Sequence, residues 1–342
     1  MGLMKRPLKR SLLGTAAALS LCLCAAWYSL PVTAEDAPQQ TESGDTAQQD
    51  PAGGAGAFHE EEAGSRYREN QWNYVDESMD ISGGIPEDAG GTLAKIRKNG
   101  KLTVATEPFF APYEFIDPKL LGQDQYAGAD MELARLIAKR MGVELEIVPL
   151  EFTEVLSSIS AGKYDLAISG LSYTPGRASV MEMSKGYHFS TGDAEVGLMI
   201  RSEDASAIGS IDDLQDKDLI AQSGSLQELL VAQNVVLYRQ FMRVPSVQDV
   251  YDALESGRAD AAGVDIQSAR MYIENNPKCG LTLIEGIEFR LEEQFQGDRI
   301  AGVKDDLELM YFVNGVIDEV LASGQYEKWF DEAADRAAQL GL

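Results

Sequence analysis

The chain has 342 residues, of which 44% are hydrophobic, and it carries 55 acidic against 29 basic residues for a formal net charge of −26. A chain of this length and hydrophobic content can bury the cores of two domains of ordinary size. The charge argues against a nucleic-acid partner, because a phosphate backbone requires clustered lysine and arginine, and this chain has such a cluster only in its first ten residues.

Those first residues are predicted to direct export. Four basic residues precede an apolar run from Leu12 to Val32, and small residues follow it. This pattern is typical of a Sec signal peptide over residues 1–34, which places the rest of the chain in the periplasm or at the cell surface. The run is also long enough to span a bilayer, so an uncleaved membrane anchor stays open as the alternative. Lipid attachment at Cys22 or Cys24 is disfavoured, because a leucine precedes each of them where processing prefers a small residue.

Residues 35–91 are predicted to form an acidic linker. The start of this segment is rich in Gln, Gly, Ala and acidic residues, a composition that cannot bury enough surface to offset the entropy of ordering. Such a linker suits a tether that holds a folded body away from a membrane. Its later part contains Trp72, Tyr74, Met79 and Ile81, which leaves open whether residues 66–91 contact the body.

Strands and helices alternate from Gly91 onward. "KLTVATE" and "VELEIVPL" are predicted strands on either side of a helix that spans Met131 to Met141 and closes at Gly142. Thr153 is the predicted N-cap of the next helix, which ends at Gly162 before the buried strand "YDLAIS". Successive strand–helix units of this kind predict a parallel sheet covered by helices.

The same pattern returns after about residue 205. "DLIAQ" is a predicted strand, a helix begins at Leu226, another ends at Gly257, and the strand "ADAAGV" follows. The exported part retains one cysteine, Cys279, and can therefore form no internal disulfide. The sequence thus predicts two α/β lobes that are stabilised by their hydrophobic cores.

The stretch "ISGLSYTPGR", residues 168–177, follows a predicted buried strand and is rich in hydroxyl groups. Ligands of open α/β sheets bind beyond the carboxyl ends of the strands, where this loop lies. Thr174 and Pro175 are typical of an N-cap and the first helical position, which places Arg177 in the first turn of a helix. A guanidinium next to free helical N–H groups suits a carboxylate ligand. The alternative is that Arg177 is a solvated surface residue and that the hydroxyl groups only cap the helix and stabilise the turn.

A corresponding site is predicted in the second lobe. Ser225 and Glu228 have the spacing of a capping box, which opens a helix and leaves N–H groups near Leu226 available for a ligand. Asp265 directly follows the predicted strand "ADAAGV" and can receive an ammonium group. The alternative role for Asp265 is the N-cap of the helix that follows.

Several stretches in order resemble family 3 of the extracellular solute-binding proteins, which serve polar amino-acid ABC importers. They are "TEPFFAPYEF", "YAGADMELARLIAKRMG", "AGKYDLAISGLSYTPGR", "SIDDLQDKDLIAQSGS", "ALESGRADAAGVD" and "ASGQYEKWFDE", and they span about Lys95 to Glu332. The resemblance implies the type II periplasmic-binding-protein fold, in which two α/β sandwiches are joined by a two-strand hinge. It further implies a first lobe of residues 92–197 with 298–342, and a second of 198–297.

The resemblance also implies which residues bind the backbone groups of an amino acid. Arg177 and the N–H of Leu226 would hold the α-carboxylate, with help from the hydroxyl or amide of Ser172. Asp265 and the backbone of Gly170 would hold the α-ammonium. Two of these positions depart from the family pattern, because serine is common at position 170 and threonine or glycine at position 226.

The ligand's side chain would meet a second set of residues. Phe110 and Phe152 would flank it, and Glu107 and Ser169 would meet its polar end. The carboxyl group of Glu107 favours a cationic or amide side chain. Which amino acid binds is not readable from the sequence.

These observations predict an extracytoplasmic, monomeric amino-acid-binding protein that delivers its ligand to an ABC permease, without a metal or another cofactor. The chain has two histidines, His59 and His188, and no GxSxG motif, so no nucleophile set suggests an enzyme. One alternative is a cyclohexadienyl dehydratase-like enzyme on the same fold, acting on prephenate or arogenate with Glu107 as the general acid. The other is a surface adhesin.

Overall fold

The computed structural model of the protein describes residues 74–189 and 195–342. The predicted signal peptide or anchor and the first part of the predicted linker lie outside the described residues. Among the helices inside these two ranges, none combines the length and the apolar character needed to cross a membrane.

Strands and helices alternate along the described residues, as the sequence predicts. The strands are β1 (Lys101–Thr106), β2 (Phe109–Phe110), β3 (Glu114–Ile116), β4 (Tyr126–Ala127), β5 (Glu144–Pro149), β6 (Leu166–Ser172), β7 (Met181–Met183), β8 (Val196–Arg201), β9 (Asp218–Gln222), β10 (Gln240–Val244), β11 (Ala261–Asp265), β12 (Leu281–Phe289) and β13 (Asp298–Val303). The α-helices are α1 (Gly91–Asn99), α2 (Ala129–Met141), α3 (Phe152–Ser160), α4 (Pro175–Val180), α5 (Leu226–Asn234), α6 (Val247–Glu255), α7 (Ile266–Asn275), α8 (Leu307–Ser323) and α9 (Gln325–Ala338).

Two five-stranded sheets organise the body, with the strand orders β5-β1-β6-β13-β7 and β10-β9-β11-β8-β12. In the first sheet β5, β1 and β6 run parallel, and in the second β10, β9 and β11 do. In each sheet, the parallel strand that comes first along the chain, β1 or β9, lies between the other two parallel strands. The two sheets therefore share one arrangement. Each sheet also contains one strand that runs antiparallel to both of its neighbours, β13 between β6 and β7 in the first and β8 between β11 and β12 in the second, which the repeated strand–helix pattern did not predict.

Both faces of the first sheet are buried. Leu166 and Ile168 of β6 belong to the hydrophobic cluster that includes α1, α2 and α8, whereas Ala167 between them belongs to the cluster that includes α3. Alternate residues of a strand point to opposite faces, so an unbroken apolar run such as "LAI" is what a sheet covered on both sides requires. The second sheet is covered in the same way by α5 on one face and by α6 and α7 on the other.

Two predicted helix starts differ in detail from the structure. The N-cap of α3 is Glu151 rather than Thr153, because the helix begins directly after β5 ends, and Thr153 lies within its first turn. Ser225 caps α5 as predicted, accepting a hydrogen bond from the N–H of Glu228 at 3.0 Å. The carboxylate of Glu228, however, accepts from the N–H of Gly224 at 2.7 Å, one residue outside the position of a capping box.

The described part of the predicted linker lies against the body. Val75, Ile85 and Ala89 are buried in the same cluster as α1, α2 and α8. The segment from residue 74 to 90 is therefore ordered by packing, and the apolar residues in the later part of the linker were the signal for it.

Two connections join the sheets. The chain passes from β7 to β8 and returns from β12 to β13. At their first-sheet ends the connections are paired, because Tyr187 N–H donates to the Asp298 carbonyl and Asp298 N–H donates to the His188 carbonyl, both at 2.9 Å. Each sheet with its helices is one lobe, and we retain the residue boundaries 92–197, 198–297 and 298–342 as a proposal.

Candidate functional site

A cavity of about 250 Å³ lies at the carboxyl ends of β6, β9 and β11, between the two sheets. Parallel α/β sheets bind ligands at this edge, because the loops there surround a crevice. The nine residues that the sequence assigns to a ligand site all line it, namely Glu107, Phe110, Phe152, Ser169, Gly170, Ser172, Arg177, Leu226 and Asp265.

Arg177 projects from the first turn of α4 and is buried. Its own N–H donates to the Oγ1 of the cap residue Thr174 at 3.1 Å, as the sequence predicts. Its Nη1 donates to the carbonyl of Ser172 at 2.7 Å, and its Nη2 donates to the carbonyl of Gly224, in the other lobe, at 3.0 Å. Burial lowers the pKa of Arg177 to about 10, so the guanidinium is charged at neutral pH. Because a guanidinium has five N–H donors, three remain to bind a carboxylate.

Leu226 is the first residue of α5, and its N–H has no acceptor within the helix. Gly224, which precedes the cap residue Ser225, has φ +76°, and a Cβ atom at this position would stand 3.3 Å from Cγ2 of Thr153 in the first lobe. The turn that presents the Leu226 N–H therefore also supplies the carbonyl that Arg177 binds. The two groups predicted to hold a carboxylate are coupled through this turn.

The structure shows the capping role of Asp265 and places the residue in the wall of the cavity. It is the last residue of β11 and lines the cavity, and it also caps α7, because its Oδ1 accepts from the N–H of Ser268 at 2.7 Å. Burial raises the pKa of Asp265, and the bonds from Ser268 oppose that shift. Asp298 lines the same cavity, and burial together with the charges of Asp130 and Asp265 raises the pKa of Asp298 well above its ordinary value. This end of the cavity can bind a cation.

Phe110 forms one wall of the cavity. Its ring stacks on Tyr113 with centroids 4.8 Å apart and an interplanar angle of 10°. Gly170 lies against this wall with φ +51°, and a Cβ atom at position 170 would stand 2.9 Å from Cε1 of Phe110. The departure from serine at position 170 is thus explained by the close approach of the Phe110 ring.

Glu107 lines the cavity, and its carboxyl oxygen Oε1 is buried without a hydrogen-bond partner. Burial raises the pKa of Glu107 to about 8, against the opposing effect of hydrogen bonds from Gln222 and the N–H of Phe109. The N–H of Glu107 donates to the Oγ of Ser169 at 3.0 Å. The hydroxyl of Ser169 in turn donates to Oε1 of Glu114 at 2.8 Å, so its single hydrogen is committed within the protein.

A buried carboxyl pair, Glu114 and Asp130, accepts hydrogen bonds from the cavity-lining residues Ser169 and Gly170. Asp130 accepts from the N–H of Gly170 at 2.8 Å and from the hydroxyls of Tyr187 and Tyr326 at 2.8 and 2.6 Å. Burial and the charge of Asp130 raise the pKa of Glu114 well above its ordinary value. The pair thereby holds the Ser169 hydroxyl and the Gly170 N–H in place.

Sequence reasoning missed several residues of the cavity wall. Glu114, His188, Glu195 and Asp298 line it, and none was among the predicted ligand residues. His188 is buried, and its Nδ1 lies 3.1 Å from Oε1 of Glu327 while its Nε2 has no partner. The signal that could have found Asp298 is its position at the edge of a strand opposite the predicted ligand loop, but β13 itself was not predicted.

The sequence profile of the bacterial extracellular solute-binding proteins, family 3, matches residues 102–332. The chain belongs to this family. The resemblance inferred from the sequence motifs is thereby confirmed, and the family's extracellular character agrees with the predicted export.

Individual relatives bind amino acids. The arginine-binding extracellular protein ArtP of Bacillus subtilis is 28% identical over 235 residues, which cover 67% of this chain and 86% of ArtP. The structure of the amino acid ABC transporter substrate-binding protein AbpA from Streptococcus pneumoniae, bound to L-arginine, is 33% identical with a TM-score of 0.63, covering 72% of this chain and 98% of AbpA. The ancestral amino acid-binding protein AncCDT-1, a precursor of cyclohexadienyl dehydratase, is 26% identical with a TM-score of 0.60, covering 71% of this chain and 99% of that protein.

Proposed function

We propose that this protein captures a single amino acid outside the cytoplasm, between its two lobes, and delivers it to an ABC permease. The observation that carries the proposal is one cavity lined by a buried guanidinium, Arg177, and by the partly buried carboxyl groups of Asp265 and Asp298. A zwitterion needs an anion site and a cation site close together, and the similarity to amino-acid-binding proteins of ABC transporters supports the same conclusion.

We assign the backbone groups of the ligand as follows. Arg177 and the Leu226 N–H hold the α-carboxylate with Ser172 beside them, and Asp265 with the backbone of Gly170 holds the α-ammonium. Arg177 belongs to the first lobe and Leu226 and Asp265 to the second, so a ligand that contacts all three favours the closed arrangement. Closure then signals the loaded state to the permease.

We propose a cationic side chain for the ligand, with an amide as the alternative. Glu107 lines the cavity and has a buried carboxyl oxygen without a partner, and its backbone N–H is joined to the Glu114 carboxyl group through the hydroxyl of Ser169. Phe110 and Phe152 offer ring faces on which a guanidinium, an ammonium or an amide can lie. The arginine-bound relatives agree with this chemistry.

Glu107 gives a test of the side-chain charge through protons. Its pKa of about 8 leaves it mostly protonated at pH 7, and a cationic side chain binds its ionised form. Binding should then release a proton, and affinity should rise with pH up to about 8. Titration calorimetry at pH 7 in buffers of different ionisation enthalpy counts the protons, and wild type should release close to ~1 more than Glu107→Gln. Equal counts in the two proteins would exclude a cationic partner for Glu107.

The function itself is tested by thermal unfolding of the full chain, freed of ligand, against the twenty amino acids, ornithine, cystine and prephenate. At a hundredfold excess over the dissociation constant, a ligand stabilises the folded state by ~2.7 kcal/mol. For a body of this size that raises Tm by roughly 5–10 °C. A shift confined to one group of amino acids supports the proposal, and no shift with any amino acid would refute it.

Dehydration of prephenate or arogenate is a second candidate. A buried carboxyl group whose pKa lies near 8, such as that of Glu107, can act as a general acid at neutral pH. The similar protein AncCDT-1 is a precursor of cyclohexadienyl dehydratase. Product formation from either substrate, measured on the same ligand-free protein, separates this candidate from binding alone.

The cellular setting of the protein is proposed from the sequence. Residues 1–34 direct export or remain as a membrane anchor, and the acidic linker lets the body reach its permease. We propose that the protein acts as a monomer.

A further inference from the structure

Residues 74–90, which we call the strap, precede the family domain and lie along its first lobe. Val75 N–H donates to the Met183 carbonyl at 2.9 Å, and Met79 N–H donates to the Tyr311 carbonyl at 3.0 Å. The strap is thus held by main-chain bonds to β7 and α8 in addition to its apolar contacts.

Two adjacent residues of α8 form a seat for the strap. Asn314, fully buried, donates to the carbonyls of Val75 and Glu77, both at 2.8 Å, and its Oδ1 accepts from the N–H of Lys185 at 3.1 Å. Gly315 leaves room for the Met79 carbonyl, which would lie 2.5 Å from a Cβ atom at that position. A glycine inside a helix costs about 1 kcal/mol relative to alanine, and here the close approach of the strap accounts for it.

The first described residue of the strap covers a buried arginine. The Cζ atom of Arg299 lies 4.1 Å from the centroid of the Tyr74 ring, and Arg299 itself is 3% exposed. Its Nη1 donates to the Ser184 carbonyl at 3.0 Å, and its Nη2 donates to the Gln296 carbonyl at 3.3 Å. Burial lowers the pKa of Arg299, and the neighbouring Tyr74 and Asp76 oppose that shift.

These two carbonyls belong to the connections between the lobes. Ser184 begins the first connection, directly after β7, and Gln296 lies in the second, next to the cavity-lining residues Gly297 and Asp298. Arg299 therefore fastens both connections at the first lobe.

The same cluster touches the ligand loop. Tyr173, between Ser172 and Thr174, stacks on Phe295 of the second connection with centroids 4.8 Å apart and an interplanar angle of 9°. The Tyr74 ring meets the Tyr173 ring edge to face at 6.0 Å. Tyr74 thus contacts the ligand loop directly, through Tyr173. It is joined to the second connection indirectly, through Tyr173 and Arg299.

We infer that Tyr74 is a positioning residue for ligand capture, which by stacking on Arg299 holds the two connections in the arrangement that closes the cavity. The inference rests on the proposed amino-acid binding and adds to it a segment that lies outside the family domain.

The test uses the full chain with the amino acid that shifts Tm most. Tyr74→Ala should raise the dissociation constant by roughly three- to tenfold, the range expected for a desolvated cation–π contact, while Tyr74→Phe should retain wild-type affinity. Gly315→Ala, which displaces the strap at Met79, should reproduce the effect of Tyr74→Ala. A matched control is Tyr164→Ala, because the Tyr164 ring also carries a cation, Lys163 Nζ at 5.0 Å, but lies away from the connections.

The readout separates positioning from stability. If Tyr74→Ala and Gly315→Ala lower Tm but leave the dissociation constant at the wild-type value, the strap is structural only and the inference is wrong. If Tyr164→Ala weakens binding as much as Tyr74→Ala does, the effect is not specific to the connections and the inference is also wrong. If the wild-type chain binds no amino acid, the proposed function fails and this inference fails with it.

Discussion

Replacing Arg177 by alanine is expected to raise the dissociation constant of the ligand by a hundredfold or more. Removing one partner of a buried, hydrogen-bonded charge pair costs about 2–5 kcal/mol, which corresponds to roughly 30- to 5,000-fold in affinity. The change also removes the hydrogen bond from Arg177 to the Gly224 carbonyl, which joins the two lobes. Both losses act against the closed, ligand-bound arrangement.

Two further variants isolate the cause. Arg177→Lys keeps the charge but loses the fork that binds a carboxylate through two parallel N–H groups, so its affinity should fall between wild type and Arg177→Ala. Arg239→Ala is the matched control, because Arg239 is exposed and pairs with Asp218 on the surface of the second lobe, and neither residue lines the cavity. Titration calorimetry gives the affinities, and an Arg177→Ala protein that binds like Arg239→Ala would rule out the carboxylate assignment.

The residues of the ligand loop could be predicted because their signals are local. Thr174, Pro175 and Arg177 form a cap, a first helical position and a first-turn cation within four residues, and the structure has all three in those places. Ser225 and Leu226 follow the same logic at the start of α5. Helix capping depends on neighbours in sequence, which a single sequence contains.

The partners of these residues could not be predicted because they come from distant segments. Glu114 meets Asp130 and Ser169 only after β3, α2 and β6 have packed together. Asp298 reaches the cavity through β13, an antiparallel strand inserted into an otherwise parallel pattern. No local pattern marks either residue as part of a site, since each acquires its environment from the tertiary fold.

The wrong cap of α3 has the same origin. Thr153 is the better capping residue by type. The helix nevertheless begins at Phe152, three residues after the end of β5, so Thr153 lies inside it. Glu151 caps without a side-chain hydrogen bond, so the strand–helix connection, rather than the preference for a hydroxyl, sets the start. Tertiary packing overrides a capping preference of about 1 kcal/mol.

Asp265→Asn is expected to weaken ligand binding about a hundredfold with little change in Tm. Asparagine caps helices as well as aspartate does, so the bond from Ser268 N–H to the side chain of residue 265 is retained. Only the negative charge is lost, and with it the attraction to an α-ammonium, for which about 2–5 kcal/mol is typical of a buried charge pair. The substitution therefore separates the two roles that Asp265 has in the structure.

The matched control is Asp306→Asn, since Asp306 caps α8 in the same way, through the N–H of Leu309, and does not line the cavity. Neither substitution should lower Tm by more than a few degrees, and only Asp265→Asn should weaken binding. An analogue of the ligand that lacks the α-amino group should bind wild type and Asp265→Asn with similar, low affinity, because the group that Asp265 recognises is absent. If Asp265→Asn keeps wild-type affinity, the aspartate serves α7 alone, and the ammonium must be held elsewhere in the cavity, where Asp298 is another carboxyl group in the lining.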